Sequence, residues 1–305
     1  MTAAEDREIG GVVITHPGKA LWPAVAPDPA FTKLDLARHF AEFAERMLPH
    51  VAGRPISLVR APDGIDGPRF FQRHATPQIA RLRPVSVPGD PKPYAMIEDR
   101  EGLVSLAQAA VLELHPWAAK KDAPDTPERV IFDLDPAEDV PFGRVIAAAT
   151  ELRERLKNCG LEAFVKTTGG KGLHVVAAVK GSRGPATWAG VKDFSRRLCE
   201  QMVEDSPRAY TANMAKKARP GKIFLDYLRN DRGATAVAPW SPRARPHAPI
   251  AAPVTWAQLG KGLDPLAFTL RTAHDLLKRV DPWRDLPKSA GSLDVARKKL
   301  ERQRP

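Results

Sequence analysis

Apolar and polar positions along the 305-residue chain change their period several times. Val12 to Ile14 is a short apolar run that predicts a strand. From Thr32 onward, Leu34, Leu36, Phe40, Phe43 and Met47 recur at helical spacing. Thr32 with Asp35 has the form of a capping box, and Pro49 and Gly53 are expected to end that helix. Ile56 to Val59 predicts a buried strand, Ala61 to Gly67 a turn followed by Phe70 and Phe71, and Pro84 to Pro93 a proline-rich loop. Leu103 to Leu114 is apolar and fits a helix or a strand.

The centre of the chain reads more sharply. Val130 to Leu134 predicts a strand stopped by Pro136. Phe142 to Asn158 predicts an amphipathic helix, with Gly160 placed to close it. Ala163 to Lys166 and Leu173 to Val179 predict strands joined by a glycine turn from Thr168 to Gly172. Trp188 to Val203 predicts a second helix, and Ile223 to Leu228 a further strand. This order suits a sheet covered by helices on one face. Pro239 to Pro253 holds five prolines in fifteen residues and is expected to run as an extended linker over the surface. Ser292 to Pro305 is a charged tail expected to form a short helix. There is no internal repeat.

Composition narrows the class. Lys and Arg number 47 against 36 Asp and Glu, a formal charge of +11, which suits a polyanionic partner. Between Arg208 and Arg232 there are seven basic residues and two acids. No apolar run approaches the roughly 20 residues of a membrane span. Met1 to Gly10 is polar and carries acids, unlike a signal or transit peptide. The two cysteines, Cys159 and Cys199, supply neither a zinc site nor a disulfide framework. Collagen, coiled coil, membrane protein and disulfide-rich module are excluded, and a cytoplasmic protein without a membrane partner is expected.

Three motifs carry candidate chemistry. In Val130-Ile131-Phe132-Asp133-Leu134-Asp135-Pro136 the two acids point to one face of a strand, roughly 6.6 Å apart along it, while Phe132 and Leu134 face the core. Such carboxylates repel, and a divalent cation would relieve the conflict. Two solvated acids at a strand end would also fit. In Thr168-Gly169-Gly170-Lys171-Gly172-Leu173-His174, glycines let backbone N–H groups approach an anion, with Thr168 and Lys171 as further donors. The alternative is a hairpin turn. In Lys222-Ile223-Phe224-Leu225-Asp226-Tyr227-Leu228-Arg229, Asp226 interrupts an apolar strand, either as a third metal carboxylate or in a salt bridge with Arg229 or Lys222.

Together these motifs resemble the archaeo-eukaryotic primase superfamily, and most closely the polymerase domain of bacterial DNA ligase D. The likeness runs from Ile14-Thr15-His16-Pro17-Gly18-Lys19 through Phe70-Phe71-Gln72-Arg73-His74 and Leu112-Glu113-Leu114-His115-Pro116-Trp117 to Ser241-Pro242-Arg243-Ala244-Arg245-Pro246. It implies an α+β primase-polymerase fold: mixed and antiparallel sheets flanked by helices, in two closely packed lobes. The expected division is a mobile N-terminus at 1–11, the polymerase domain at 12–290 and a charged tail at 291–305.

The resemblance also implies roles. Asp133, Asp135 and Asp226 would be catalytic and hold two Mn²⁺ or Mg²⁺ ions. Thr168, Lys171, His174, Arg229 and Arg243 would bind the triphosphate of an NTP or dNTP. Phe71, with Phe70, would pack on bases, although neighbours on a strand point oppositely and one of the pair is expected in the core. His115 would lie near the sugar 2′-hydroxyl and favour ribonucleotides. Lys19 and Lys33, with His16 nearby, would grip the 5′-phosphate of a DNA end or gapped duplex. Lys216 and Lys217 would form a basic loop near the template.

The implied function is a nucleotidyltransferase that fills DNA ends and gaps in non-homologous end joining. It would work at the bacterial nucleoid, with Ku and an ATP-dependent ligase as partners. The chain carries no KxDG ligase motif and no His- and Asp-rich phosphoesterase pattern. Either a stand-alone polymerase, which Met1 favours, or a fragment of a longer enzyme is therefore expected. The alternatives are a non-catalytic DNA-end scaffold and a DxD nucleotide-sugar transferase, the latter disfavoured by the basic stretch around Asp226.

Overall fold

The computed structural model describes residues 7–303 apart from 27, 78, 80 and 183. The chain forms two compact units. Met1–Trp117, Val237–Ala252 and Leu266–Asp281 build the first, and Ala118–Ala236, Pro253–Pro265 and Pro282–Pro305 the second.

The first unit opens with a hairpin of β1 (Arg7–Ile9) and β2 (Val12–Ile14). Gly10 and Gly11 turn it at φ 56° and 79°. Residues 7–11 of the expected N-terminal segment 1–11 thus lie in this hairpin, because two residues without a Cβ allow a tight reversal. Its first six residues lie outside the described ones. Strands β3 (Ala20–Trp22) and β4 (Phe31–Thr32) form a second hairpin that leads into α1 (Lys33–Val51). The capping box of Thr32 and Asp35 is present. The helix runs two residues past Pro49. So late in a helix a proline disturbs only the last turn.

Strand β5 (Ile56–Arg60) is the centre of a five-stranded sheet. β6 (Phe70–Gln72), β7 (Arg83–Val85) and β8 (Tyr94–Met96) extend it in the order β6-β5-β8-β7. The proline-rich stretch thus begins in a strand, and Pro84 is tolerated because β7 is an edge. The ambiguous run splits into α2 (Arg100–Gln108) and β9 (Val111–Pro116), with Ala110 at φ 53° between them. β9 pairs antiparallel with β5, Ser57 opposite His115 and Val59 opposite Glu113.

The second unit comprises β10 (Arg129–Pro136), α3 (Phe142–Asn158), β11 (Ala163–Thr167), β12 (Leu173–Lys180), α4 (Trp188–Asp205), β13 (Tyr210–Thr211) and β14 (Ile223–Asp226), then β15 (Pro253–Val254) and α5 (Trp256–Gly260). Its sheet runs β13-β14-β10-β12-β11-β15. Along this order the pairs are antiparallel except β13 with β14, and a seventh strand, Gly291–Ser292, pairs parallel with β12. Helices α3 and α4 pack on this sheet. Phe132 and Leu134 are buried, as their alternation predicts. The chain returns to the first unit through α6 (Ala273–Leu277), and β16 (Gly291–Ser292) and α7 (Leu293–Arg302) complete the second.

Two expectations are corrected, at β14 and at Pro239 to Pro253. β14 stops at Asp226, not Leu228, because the Asp226 Oδ1 captures the Leu228 N–H at 2.8 Å and turns the chain into a short 3₁₀ helix, Leu228–Asn230. The short helix expected in the charged C-terminal stretch is α7, which packs on α4 through Leu293, Ala296 and Leu300, and β16 before it pairs with β12. Residues 304 and 305 lie outside the described ones. Pro239 to Pro253 is no surface linker, since Trp240, Ala248, Ile250, Ala251 and Ala252 are buried. The segment folds back on itself through a Pro242–Ile250 bridge, and the Trp240 carbonyl accepts from His39 at 2.8 Å. Its apolar positions outweigh the preference of prolines for exposed extended chain.

Among the described residues no helix is long and apolar enough to cross a membrane. Trp240 is 1% exposed and its ring packs on Phe43. Trp240→Ala should lower the stability of the first unit by about 3–5 kcal/mol in denaturant unfolding. Val280→Ala, at a site 68% exposed, should stay within about 0.5 kcal/mol.

Candidate active site

Strand register assembles the acids of the second unit. Asp133 on β10 stands opposite His174 on β12 and opposite Asp226 on β14. Lys166 on β11 is in turn opposite His174. Residues directly opposite in a sheet share a face, so Lys166, His174, Asp133 and Asp226 form one row across four strands. Asp135 lies two residues along β10 on that face, opposite Phe224.

Two facing carboxylates about 5 Å apart repel by about 3 kcal/mol at an effective dielectric of about 20. The structure answers with arginines. Arg229, delivered by the 3₁₀ turn after Asp226, lies 3.1 Å from the Asp226 Oδ2 and 3.5 Å from the Asp133 Oδ2. Arg219 lies 2.9 Å from the Asp135 Oδ2, with its guanidinium 4.1 Å from the centre of the Phe224 ring. Asn230 anchors the turn: its side-chain amide exchanges hydrogen bonds with the backbone of Ile131, at 2.8 and 2.7 Å.

This compensation is uneven. Burial alone would push the Asp133 carboxyl up, but His174, Arg229 and Lys166 hold it at about 2. Burial, aided by Lys166, lowers His174 to about 4, so the ring is neutral at pH 7. It then contributes to Asp133 through its Nε2, 3.3 Å away, and the arginine and lysine supply the charge. Asp135 and Asp226 remain raised, first by burial and then, against the pull of Arg219 and Arg229, by Asp133. Arg229 is 43% exposed, and solvent screens its attraction. The charge of Asp135 and Asp226 is thus left incompletely compensated.

The glycine turn abuts this row. A Cβ at Gly172 would meet the Leu134 carbonyl oxygen at 2.7 Å, so glycine is required for the turn to lie against β10. Thr168 donates its hydroxyl to the Gly172 carbonyl at 3.1 Å and so closes the turn. Lys171 is exposed, and Lys216 and Lys217 lie exposed on a short 3₁₀ helix, Lys216–Ala218.

The first unit holds a separate cluster around Glu113. Its Oε2 accepts from the His115 Nε2 at 2.9 Å and lies 3.1 Å from the Arg243 Nε, while Oε1 accepts from the Ala244 N–H at 2.8 Å. Burial would raise this carboxyl, yet His115, Arg243 and the Ala244 amide hold it at about 2. Phe70 and Phe71 are 54% and 56% exposed, which corrects the expectation that one is in the core. β6 is an edge strand, and neither ring is covered. Phe71 meets His115 edge-on at 6.2 Å.

At the start of α1 the backbone unites the remaining candidates. Lys19 N–H donates to the His16 carbonyl at 3.0 Å, and Lys33 N–H to the Lys19 carbonyl at 2.9 Å. Lys19 is exposed and lies 3.3 Å from Asp63, whereas Lys33 is 7% exposed. Lys19 is therefore the more accessible cation.

Sequence reading missed Lys166, Arg219, Asn230 and Glu113 as parts of these sites. Glu113 carried a signal, since it lies two residues from His115 on one strand face. The others depend on strand register and turn geometry.

The donors suit a hard divalent cation: three crowded carboxylates, two of them raised, beside a buried His174 Nδ1 that has no hydrogen-bond partner among the described residues. With the acids turned toward Arg219 and Arg229, no three His, Cys, Asp or Glu side chains among the described residues are grouped around one point. Ion binding therefore requires the carboxylates to exchange these arginine contacts.

The fold and this site define a primase-polymerase domain, a nucleotidyltransferase by class. The chain belongs to the LigD primase-polymerase domain family, which it matches over residues 32–283. It is 37% identical over 282 residues to the multifunctional non-homologous end joining protein LigD of Pseudomonas aeruginosa, covering 90% of this chain and 33% of that protein. The Mycolicibacterium smegmatis LigD is 33% identical over 280 residues, covering 90% of this chain and 35% of the relative. Among solved structures, the polymerase domain of Mycobacterium tuberculosis ligase D in complex with DNA superposes with a TM-score of 0.81 at 31% identity, covering 94% of this chain and all of that one. The chain thus spans about a third of these LigD proteins. Family membership displaces the nucleotide-sugar transferase alternative.

The Glu113 carboxyl, at about 2 when folded against an ordinary 4.5, contributes stability that is complete above pH 4.5 and is lost as pH falls through 2. Glu113→Gln should remove roughly 3 kcal/mol of that acid-side dependence, read as a flatter slope of unfolding free energy against pH below 4.5.

Proposed function

We propose that this chain is a metal-dependent polymerase that extends the 3′-hydroxyl of DNA ends and gaps, prefers ribonucleotides, and serves non-homologous end joining. The observation that carries the reading is the Asp133–Asp226 register with Asp135 beside it, a carboxylate row in which Asp135 and Asp226 stay raised despite the neighbouring cations, in a chain of this family. The likeness to a polymerase domain solved with DNA supports DNA as the partner.

Asp133, Asp135 and Asp226 would hold two Mn²⁺ or Mg²⁺ ions, for which oxygen donors are suited. When bound, such ions neutralise the phosphates and activate the attacking hydroxyl. Arg229, released from the carboxylates, would take the triphosphate, and exposed Lys171 would add a further charge. His174, neutral at pH 7, steadies Asp133 in its ionised form. In the first unit, Arg243 would contact the triphosphate, His115 the 2′-hydroxyl, and Phe70 and Phe71 the faces of bases. Lys216 and Lys217 would meet the template backbone. Lys19, beside His16 and Lys33, would take the 5′-phosphate by exchanging its Asp63 contact. Ku and an ATP-dependent ligase are the protein partners this role implies, at the cytoplasmic nucleoid.

Asp133→Asn should abolish ATP incorporation on a primer–template while leaving the affinity for gapped duplex within a few-fold. Unchanged incorporation would sink the metal assignment. Wild-type affinity for gapped duplex should drop steeply with salt as counterions are released and weaken when the 5′-phosphate is removed. Lys19→Ala should bind both forms of the duplex equally, as measured by fluorescence anisotropy.

A further inference from the structure

Glu113 touches two of the first-unit residues that the proposed function assigns to the nucleotide, His115 and Arg243. One of its oxygens meets the His115 Nε2 at 2.9 Å and the Arg243 Nε at 3.1 Å, and the other accepts the Ala244 amide at 2.8 Å. The carboxylate sits on β9, whose pairing with β5 holds it at Val59. Glu113 is 6% exposed, so solvent cannot substitute for these partners. Ala244 and Arg243 belong to the buried segment that folds back through the Pro242–Ile250 bridge.

We propose that Glu113 is the positioning residue that sets His115 and Arg243 together, so that ribose discrimination and triphosphate binding depend on one carboxylate. The inference rests on the function proposed above, and it concerns a residue with no contact to the reacting atoms. Two hydrogen-bond donors and one guanidinium converge on two acceptor oxygens. Because a carboxylate only accepts, His115 must carry a proton on Nε2, and this fixes the orientation of its ring. The same oxygen holds the Arg243 Nε edge, which sets the direction of its remaining N–H groups. A neutral glutamine of the same shape cannot serve both donors and the guanidinium. Its NH₂ must oppose either the Ala244 N–H or the His115 and Arg243 pair.

Steady-state incorporation of ATP and dATP by the full chain tests this. Glu113→Gln should raise the KM for ATP and lower the ATP-over-dATP discrimination, each by roughly tenfold, the size of one lost charge-assisted contact. Arg243→Ala is expected to move mainly the KM, and His115→Ala mainly the discrimination. A folded Glu113→Gln protein that changes neither quantity, or only one, overturns the inference. If that variant does not fold, ¹⁵N–¹H correlation of the wild-type His115 ring decides: a proton on Nε2 upholds the arrangement, and a ring protonated on Nδ1 alone overturns it. No incorporation by the wild-type chain would instead overturn the proposed function, and this inference with it.

Discussion

The second unit is organised around an electrostatic conflict: Asp133 and Asp226 face each other across adjacent strands. Carboxylates so placed are unfavourable, and burial worsens the conflict. Much of the local architecture acts on it. The turn that ends β14 returns Arg229 to both acids, Asn230 pins that turn to the backbone of β10, and His174 and Lys166 flank Asp133 from the other side. Asp135 and Asp226 stay raised despite these neighbours. A surface that retains unrelieved repulsion after folding is one that gains from a cation.

The first unit shows the opposite balance. Glu113 is buried against two hydrogen-bond donors and a guanidinium, and its carboxyl is held far below its ordinary range. One charge surrounded by donors makes a rigid support. Three acids, two of which stay raised beside their cations, make a binding surface. The two environments differ in how fully the carboxylate charge is compensated, and that separates a group that holds its neighbours from groups ready to exchange theirs.

Much of this fold was legible because period and punctuation agree. The capping box at Thr32, the alternation through Val130 to Leu134 and the glycine turn before His174 each specify local structure by short-range physics. Misreadings arose where a local signal met a tertiary demand. The proline-rich stretch at 239–253 looked like exposed linker, but Trp240 and its apolar neighbours are buried. β14 looked longer than it is because an Asx turn at Asp226 leaves no mark in hydrophobicity. Phe70 and Phe71 looked half-buried because alternation assumes that one sheet face is covered, and at an edge strand neither ring is.

Amino-acid order by itself determined which side chains carry the chemistry: paired acids on one strand face, a glycine turn ending in histidine, a lone acid on a later strand, and a basic stretch around it. Alternation along a strand is a property of the strand alone. Only the tertiary structure decided which of these residues meet. The register of β10 with β12 and β14 sets Asp133 against His174 and Asp226, brings Lys166 into the same row, and leaves Arg229 bridging two acids. Register between strands distant in sequence is set by how the whole sheet buries its apolar face, and a shift of one residue would turn every acid to the other side.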